Sequence, residues 1–149
     1  TMVLEELKKT VKEIGLFKDR YLVSCFMMNN EWRVDYYSPK EHVIYTYFKV
    51  DNKLKEQKDE IFQKEKKLLE KLDLEKVKIH YLEALEKVEV ESDKYIIILQ
   101  VIDNEVVWNV TILTTEFRIY NAKISAETGK KLSEEECNML DFKKGLGTS

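Results

Sequence analysis

The sequence predicts an α+β protein: two repeated units, each a helix followed by a three-stranded antiparallel sheet, joined by a long helix. Three observations carry this expectation. The order of helical and strand-like patterns runs through twice. Residues of the two runs match in order at a nearly constant spacing. A charged segment with apolar residues at helical spacing lies between them.

The first element is a helix. Leu4, Leu7, Val11 and Ile14 fall on one helical face, and Gly15 supplies a stop. Three alternating or apolar runs follow as strands: "RYLVSCFMM", "EWRVDYY" and "HVIYTYFKV". Asn29-Asn30 and Ser38-Pro39 make the turns between them. Asp51 or Asn52 then caps the long linking helix, in which Leu54, Ile61, Phe62, Leu68, Leu69 and Leu72 recur. Asp73 caps the helix of the second unit, with Val77, Tyr81, Leu85 and Val88 as its stripe. Its strands are "KYIIILQVI", "EVVWNVTIL" and "FRIYNAKIS". Ser133 and Glu136 form a capping box that opens a short C-terminal helix.

Leu7, Val11, Ile14, Asp19 and Tyr21 match Tyr81, Leu85, Val88, Asp93 and Tyr95 at a constant offset of 74 (81 − 7, 95 − 21). Trp32 and Val34 match Trp108 and Val110 at an offset of 76, and Lys53-Leu54 matches Lys131-Leu132 at 78. Offsets that change in turns are what an internal duplication leaves behind, because turns absorb insertions at little entropic cost. A helix with three strands leaves sheet edges and one face uncovered, so the halves are expected to pack on each other or join edge to edge.

In the second half, a "KVKIHYLEALEKV" helix, then "WNV", then "AKISAETGKKL" with Gly129 in the turn, resemble a PepSY repeat. In the first half "EWRV" and "FKVDNKL" fit more loosely, the Thr-Gly turn is missing, and Ser125 stands where the family often has an acid. The resemblance covers residues 3–54 and 77–132 and implies a tandem, cystatin-like arrangement. The expected organisation is a first repeat over 1–51, a linking helix over 52–73, a second repeat over 74–132, and a helix and tail over 133–149. It also implies a non-enzymatic module with an interaction or inhibitory role, usually outside the cytoplasm.

Composition narrows the partners. With 149 residues the chain is long enough to bury a core without a metal or disulfide staple. Charged residues are 36%, mostly Lys and Glu, a surface of the kind thermophiles use. The net charge of −3 gives no basic field for nucleic acid. No apolar run reaches a membrane span, and the N-terminus lacks a signal-peptide core, so the chain as it stands reads as cytoplasmic, or extracytoplasmic if a leader or anchor was removed. Cys25 and Cys137 read as two free thiols.

No catalytic, cofactor or metal constellation emerges. His42 and His80 have no ligand partners at sequence spacing, and a Cys25–His42 pair across strands is the one nucleophile geometry that could be drawn. The acids of "SEEEC", Ser133 to Cys137, suit the first turn of a helix. Asn109-Val110-Thr111 fits the glycosylation pattern but sits mid-strand. The lysines from Lys53 to Lys78 are interleaved with Glu56, Glu60, Glu65, Glu70 and Glu75, a solvated face. Trp108 shares a strand face with Val110 and Ile112 and is expected in the core.

Both faces of the first sheet carry aromatic residues, so one face must meet a second element, a partner or a ligand. A protein partner or second copy is expected there, with Tyr37, Tyr45 and Tyr47 as contacts, because tyrosine combines apolar area with a polar tip. The expected function is a non-catalytic protein-binding or regulatory module, peptidase-inhibitor-like in one form. A small-molecule pocket lined by Trp32, Tyr36 and Trp108 is the other class left open.

Overall fold

The computed structural model describes residues 2–28, 31–61, 67–90, 92 and 94–138. Helix α1 (Met2–Ile14) leads into strands β1 (Tyr21–Met28), β2 (Glu31–Ser38), β3 (Val43–Val50) and β4 (Lys53–Glu60). A 3₁₀ turn at Leu74–Lys76 and helix α2 (Tyr81–Glu86) precede β5 (Tyr95–Ile102), β6 (Glu105–Leu113), β7 (Arg118–Ser125) and β8 (Lys131–Asn138). The eight strands form one antiparallel sheet in the order β4-β3-β2-β1-β5-β6-β7-β8. β1 and β5 join the halves, pairing Cys25 with Leu99 and Phe26 with Ile98.

This corrects the predicted fold class. The units are not a helix with three strands: each half is a short helix with a four-stranded meander, and no long helix joins them. Lys53–Glu60, placed in the linking helix of residues 52–73, is β4, paired along its whole length with β3. Residues 62–66 of that predicted helix lie outside the described residues. The physical reason is exposure. Every residue of β4 is exposed, so the strand shows no alternation of apolar and polar residues and its composition reads like a solvated helix. Asp51 and Asn52, taken as helix caps, have φ of 51° and 63° and form the tight turn between β3 and β4. Asp103 and Asn104, with φ of 49° and 65°, make the same turn between β5 and β6.

The C-terminal helix is corrected likewise. Ser133 to Cys137 belongs to β8, where Glu136 pairs with Arg118 and Glu134 accepts from Tyr120 and Lys131. Residues 139–149 lie outside the described residues, as does the predicted Asn29-Asn30 turn. The second helix is shorter than its stripe, because Lys78 and Ile79 donate their N–H groups to the Ala126 carbonyl (2.8 and 3.0 Å) instead of to a helical turn. His80, not Asp73, caps α2; Asp73 caps the 3₁₀ turn.

Two features follow the sequence pattern closely. Leu7 is fully buried on α1, Val11 and Ile14 pack against the same core, and Gly15 closes the helix at φ +94°. Tyr21 and Tyr95 each open the first strand of their half. The Trp match fares differently. Met28 faces Glu31 as Ile102 faces Glu105, so the two hairpins have equal length and no insertion separates them. Met27 faces Trp32 and Val101 faces Val106, which places Val106, not Trp108, at the position of Trp32.

The core lies between the helices and one face of the sheet. Leu7, Val77, Ala84 and Val88 meet Cys25, Val34, Ile97, Leu99, Trp108 and Val110, so both halves share a single cluster. The opposite face of the sheet carries no helix among the described residues.

Candidate functional site

Three places gather the residues that the sequence singles out: the covered face of the first half, the aromatic contact between the halves, and the open face of the sheet.

On the covered face, Tyr36 faces Tyr45 and Val34 faces Tyr47. Alternation therefore puts Tyr37, which faces Ile44, on the other side, so the three predicted contact tyrosines do not share one surface. Tyr45 and Tyr47 are 7% and 5% exposed and are covered from within the chain by the loop after α1. The Arg20 guanidinium lies 3.6 Å from the Tyr45 ring centroid and donates to Tyr47 Oη at 2.9 Å. Phe17 stacks on Tyr47 at 5.7 Å. Tyr47 Oη donates to Glu56 (2.7 Å), and Tyr45 Oη to Glu41 (2.7 Å), which also holds Lys58. The Asp19 hydrogen bonds hold Arg20 more firmly protonated than usual, while Lys58 and Tyr45 depress the Glu41 carboxyl. Tyr37 is fully buried beside Tyr21, its Oη 2.8 Å from His42 Nδ1.

Between the halves, Trp32, Tyr81 and Trp108 form a triangle with ring centroids 6.1–6.4 Å apart. Trp108 is 2% exposed and its Nε1 donates to the Ile79 carbonyl at 2.7 Å. The dent beside these rings, lined also by Leu7, Val77 and His80, has a free volume of about 10 Å³, the size of one water. Tyr36 is not among its lining residues. His80 accepts from Leu82 N–H through Nδ1 (3.0 Å) as a helix cap, and burial lowers its pKa.

The remaining sequence candidates are held apart. Cys25 is buried between Val34 and Leu99, where burial keeps its thiol protonated, and His42 bonds Tyr37 rather than approaching it. Asn109 accepts from Asn121 Nδ2 at 2.6 Å in the middle of β6, a poor position for glycosylation. Among the described residues, no three His, Cys, Asp or Glu side chains converge as metal ligands, and no helix is long and apolar enough to cross a membrane.

The open face is the surface that sequence reasoning passed over. Pairing lines up Arg33 (β2), Phe26 (β1), Ile98 (β5), Asn109 (β6) and Lys123 (β7) in one row across the sheet. Arg33 also reaches Phe48 of β3, 4.2 Å from its ring centroid. These side chains are half-buried, whereas their neighbours on the covered face, such as Cys25, Val34, Leu99 and Val110, are fully buried. Ile96 adds a further exposed aliphatic at 41%. Polar groups on either side satisfy one another. Asp35 accepts from Ser24 and Thr46 (2.8 and 2.5 Å), and Asn121 donates to Asn109 and Thr111. The result is an apolar centre with a fixed polar surround. The sequence signal for it was the apolar run "KYIIILQVI", in which both faces of a central strand are apolar.

No protein-family model matches the chain, and no match was found among curated proteins. Among solved structures it is similar to a "putative lipoprotein" from Clostridium difficile 630, with a TM-score of 0.63 and 14% identity, covering 89% of this chain and 91% of that one. At that identity the likeness establishes a shared fold.

Proposed function

We propose that the chain is a non-catalytic protein-binding or regulatory module, in the manner of a peptidase inhibitor or propeptide, and that it docks its partner on the open face of the sheet. The observation that carries this reading is the half-buried pair Phe26 and Ile98 on the two central strands of an eight-stranded sheet, flanked by the exposed Ile96 and, toward the β4 edge, by Phe48. Such a patch has the anatomy of an interface: an apolar core, polar groups already bonded to one another, and a backbone that needs no ordering on binding. A small-molecule pocket is the weaker reading, because the dent at Trp32 and Trp108 has room for about one water. Tyr45 and Tyr47 are not used in this proposal, since Arg20 and Phe17 already cover them.

Kinship with PepSY-like repeats belongs to the same proposal, supported by the Ala126–Gly129 turn that receives the Lys78 and Ile79 N–H groups. An extracytoplasmic setting is part of it too, supported by the fold shared with the Clostridium difficile protein. The test is capture from extract of the native host on immobilised wild-type chain and on Ile98→Arg, with bound proteins quantified by mass spectrometry. A partner held by the wild type should fall about tenfold or more on the variant while its unfolding midpoint stays close to wild type. Equal retention by both would place the docking surface elsewhere.

A further inference from the structure

We infer that two copies of this chain associate through β4, edge to edge, in a register with Gln57 on the twofold axis. β4 is the terminal strand of the sheet, eight residues long, and its free edge is unpaired among the described residues. Its pairing with β3 runs without a register shift from Lys53 to Glu60, so the edge is regular, with neither the bulge nor the proline that commonly blunts one. Leu54, Glu56, Lys58 and Glu60 lie on the covered side of the sheet, opposite Lys49, Tyr47, Tyr45 and Val43. Lys53, Lys55, Gln57 and Asp59 lie on the open side.

Residues that oppose each other across an antiparallel pair share a face, so a twofold axis between two β4 strands must pass through a residue. The charges distinguish the registers. With the axis at Gln57, Lys55 faces the partner's Asp59 and Glu56 faces the partner's Lys58, each twice by symmetry. Gln57 then meets itself, and Leu54 meets Glu60. An axis at Glu56, Lys55 or Lys58 sets that charge against its own copy. The Gln57 register alone brings only opposite or neutral groups together. β8, the other edge, is less regular: axes at Glu134, Glu135 or Glu136 oppose a carboxylate to its own copy, an axis at Ser133 sets Lys131 against Glu135 but falls beside the β7–β8 register shift that leaves Leu132 without a facing residue, and one at Cys137 lies at the end of the strand.

Glu56 and Lys58 already have partners within the chain, Tyr47 with Arg20 and Glu41 respectively. Asp59 only accepts from Gln57 Nε2, and Lys55 has no ion pair among the described residues, so these two are free to meet across the axis. The inference does not rest on the docking face proposed above.

Sedimentation velocity of the full chain at concentrations up to about 1 mM tests it, a range wide enough for a small interface. The wild type should show a reversible monomer–dimer equilibrium. Lys55→Glu and Asp59→Lys should each weaken it about tenfold or more, and the double variant should restore it, since the swap re-forms the pair with its sign reversed. Circular dichroism of each variant should match the wild type. A wild type that stays monomeric throughout, species larger than a dimer as β4-to-β8 pairing would produce, or a double variant no better than its parents would each overturn the inference.

Discussion

The two halves of the sheet share a topology and are held together by different means. In the first half the covered face is aromatic: Phe17, Tyr36, Tyr45 and Tyr47 pack around Arg20, and the tyrosine hydroxyls reach Glu41 on the β2–β3 turn and Glu56 on β4. In the second half it is mainly aliphatic beside Trp108 and Tyr120: Val110, Ile112, Ala122 and Ile124 are at most 2% exposed. There the chain itself supplies the cover, with the Lys78 and Ile79 N–H groups on the Ala126 carbonyl and the Trp108 indole on the Ile79 carbonyl. Long amphipathic side chains and a docked backbone segment are thus alternative ways to close one face of a four-stranded meander. The choice follows from connectivity. The Lys78–Ile79 stretch of the joining segment docks on the second meander, whereas the first meander is closed by the rings and guanidinium of the loop after its own helix.

The largest expected effect separates the two tryptophans. Trp108→Ala should cost about 3–5 kcal/mol in urea unfolding, since it empties a buried site and leaves the Ile79 carbonyl unpaired. Trp32 is only half-buried, and Trp32→Ala should cost less than half as much. Equal losses would mean that the halves are anchored alike.

Next comes the aromatic box. Arg20→Ala should lose about 2 kcal/mol through the stacked contact and the Tyr47 bond. Hydrogen exchange should quicken in β3 and β4 and stay unchanged in β6 and β7. Uniform quickening would show that the box supports the whole sheet.

Turn substitutions should divide the halves more finely. Gly129 sits at φ +81°, and an added Cβ would lie 3.2 Å from Lys87 Nζ and 3.3 Å from Ile79 Cδ1, so Gly129→Ala should cost about 1–2 kcal/mol of thermal stability. Asn52→Gly, in the first half's turn at φ 63°, should leave the melting temperature unchanged or raise it.

The smallest effect is alkaline. Burial first, and then Cys25 for Tyr36 and Glu134 for Tyr120, push both phenols up to about 12 from an ordinary 10.0. A raised folded value means that their contribution is fully present below pH 10 and is lost as the pH climbs toward 12. Burial and its hydrogen bond to Glu56 hold Tyr47 up as well, so ultraviolet titration should show several tyrosines ionising late, and Tyr120→Phe should remove one phenol from that late step and leave the rest.

The residues show how far the sequence could be read. Leu7, Val11 and Ile14 marked α1, and Tyr21 and Tyr95 marked the first strands, because apolar periodicity is written by a single buried face. β4 could not be read that way: "KLKEQKDE" touches water on all sides, so no period survives. A signal was present nonetheless, since Asp51-Asn52 repeats Asp103-Asn104, the pair that separates the strand-like runs "KYIIILQVI" and "EVVWNVTIL". The Trp32–Trp108 match misled because the strand pairs Met28–Glu31 and Ile102–Glu105 are equally spaced in sequence, leaving nothing to absorb the shift. Of the candidate site, the tyrosines were visible as unusual, but not what covered them.

What the sequence determined by itself was local: a repeated order of helix and strands, most strand limits, and the burial of Trp108. What only the tertiary structure decided was non-local. Pairing of β1 with β5 merged two meanders into one sheet, and the guanidinium of Arg20 rather than a partner closed over Tyr45 and Tyr47. Periodicity records which face of an element is buried; it carries no record of what buries it, because one apolar surface is served equally well by a helix, a loop or another chain.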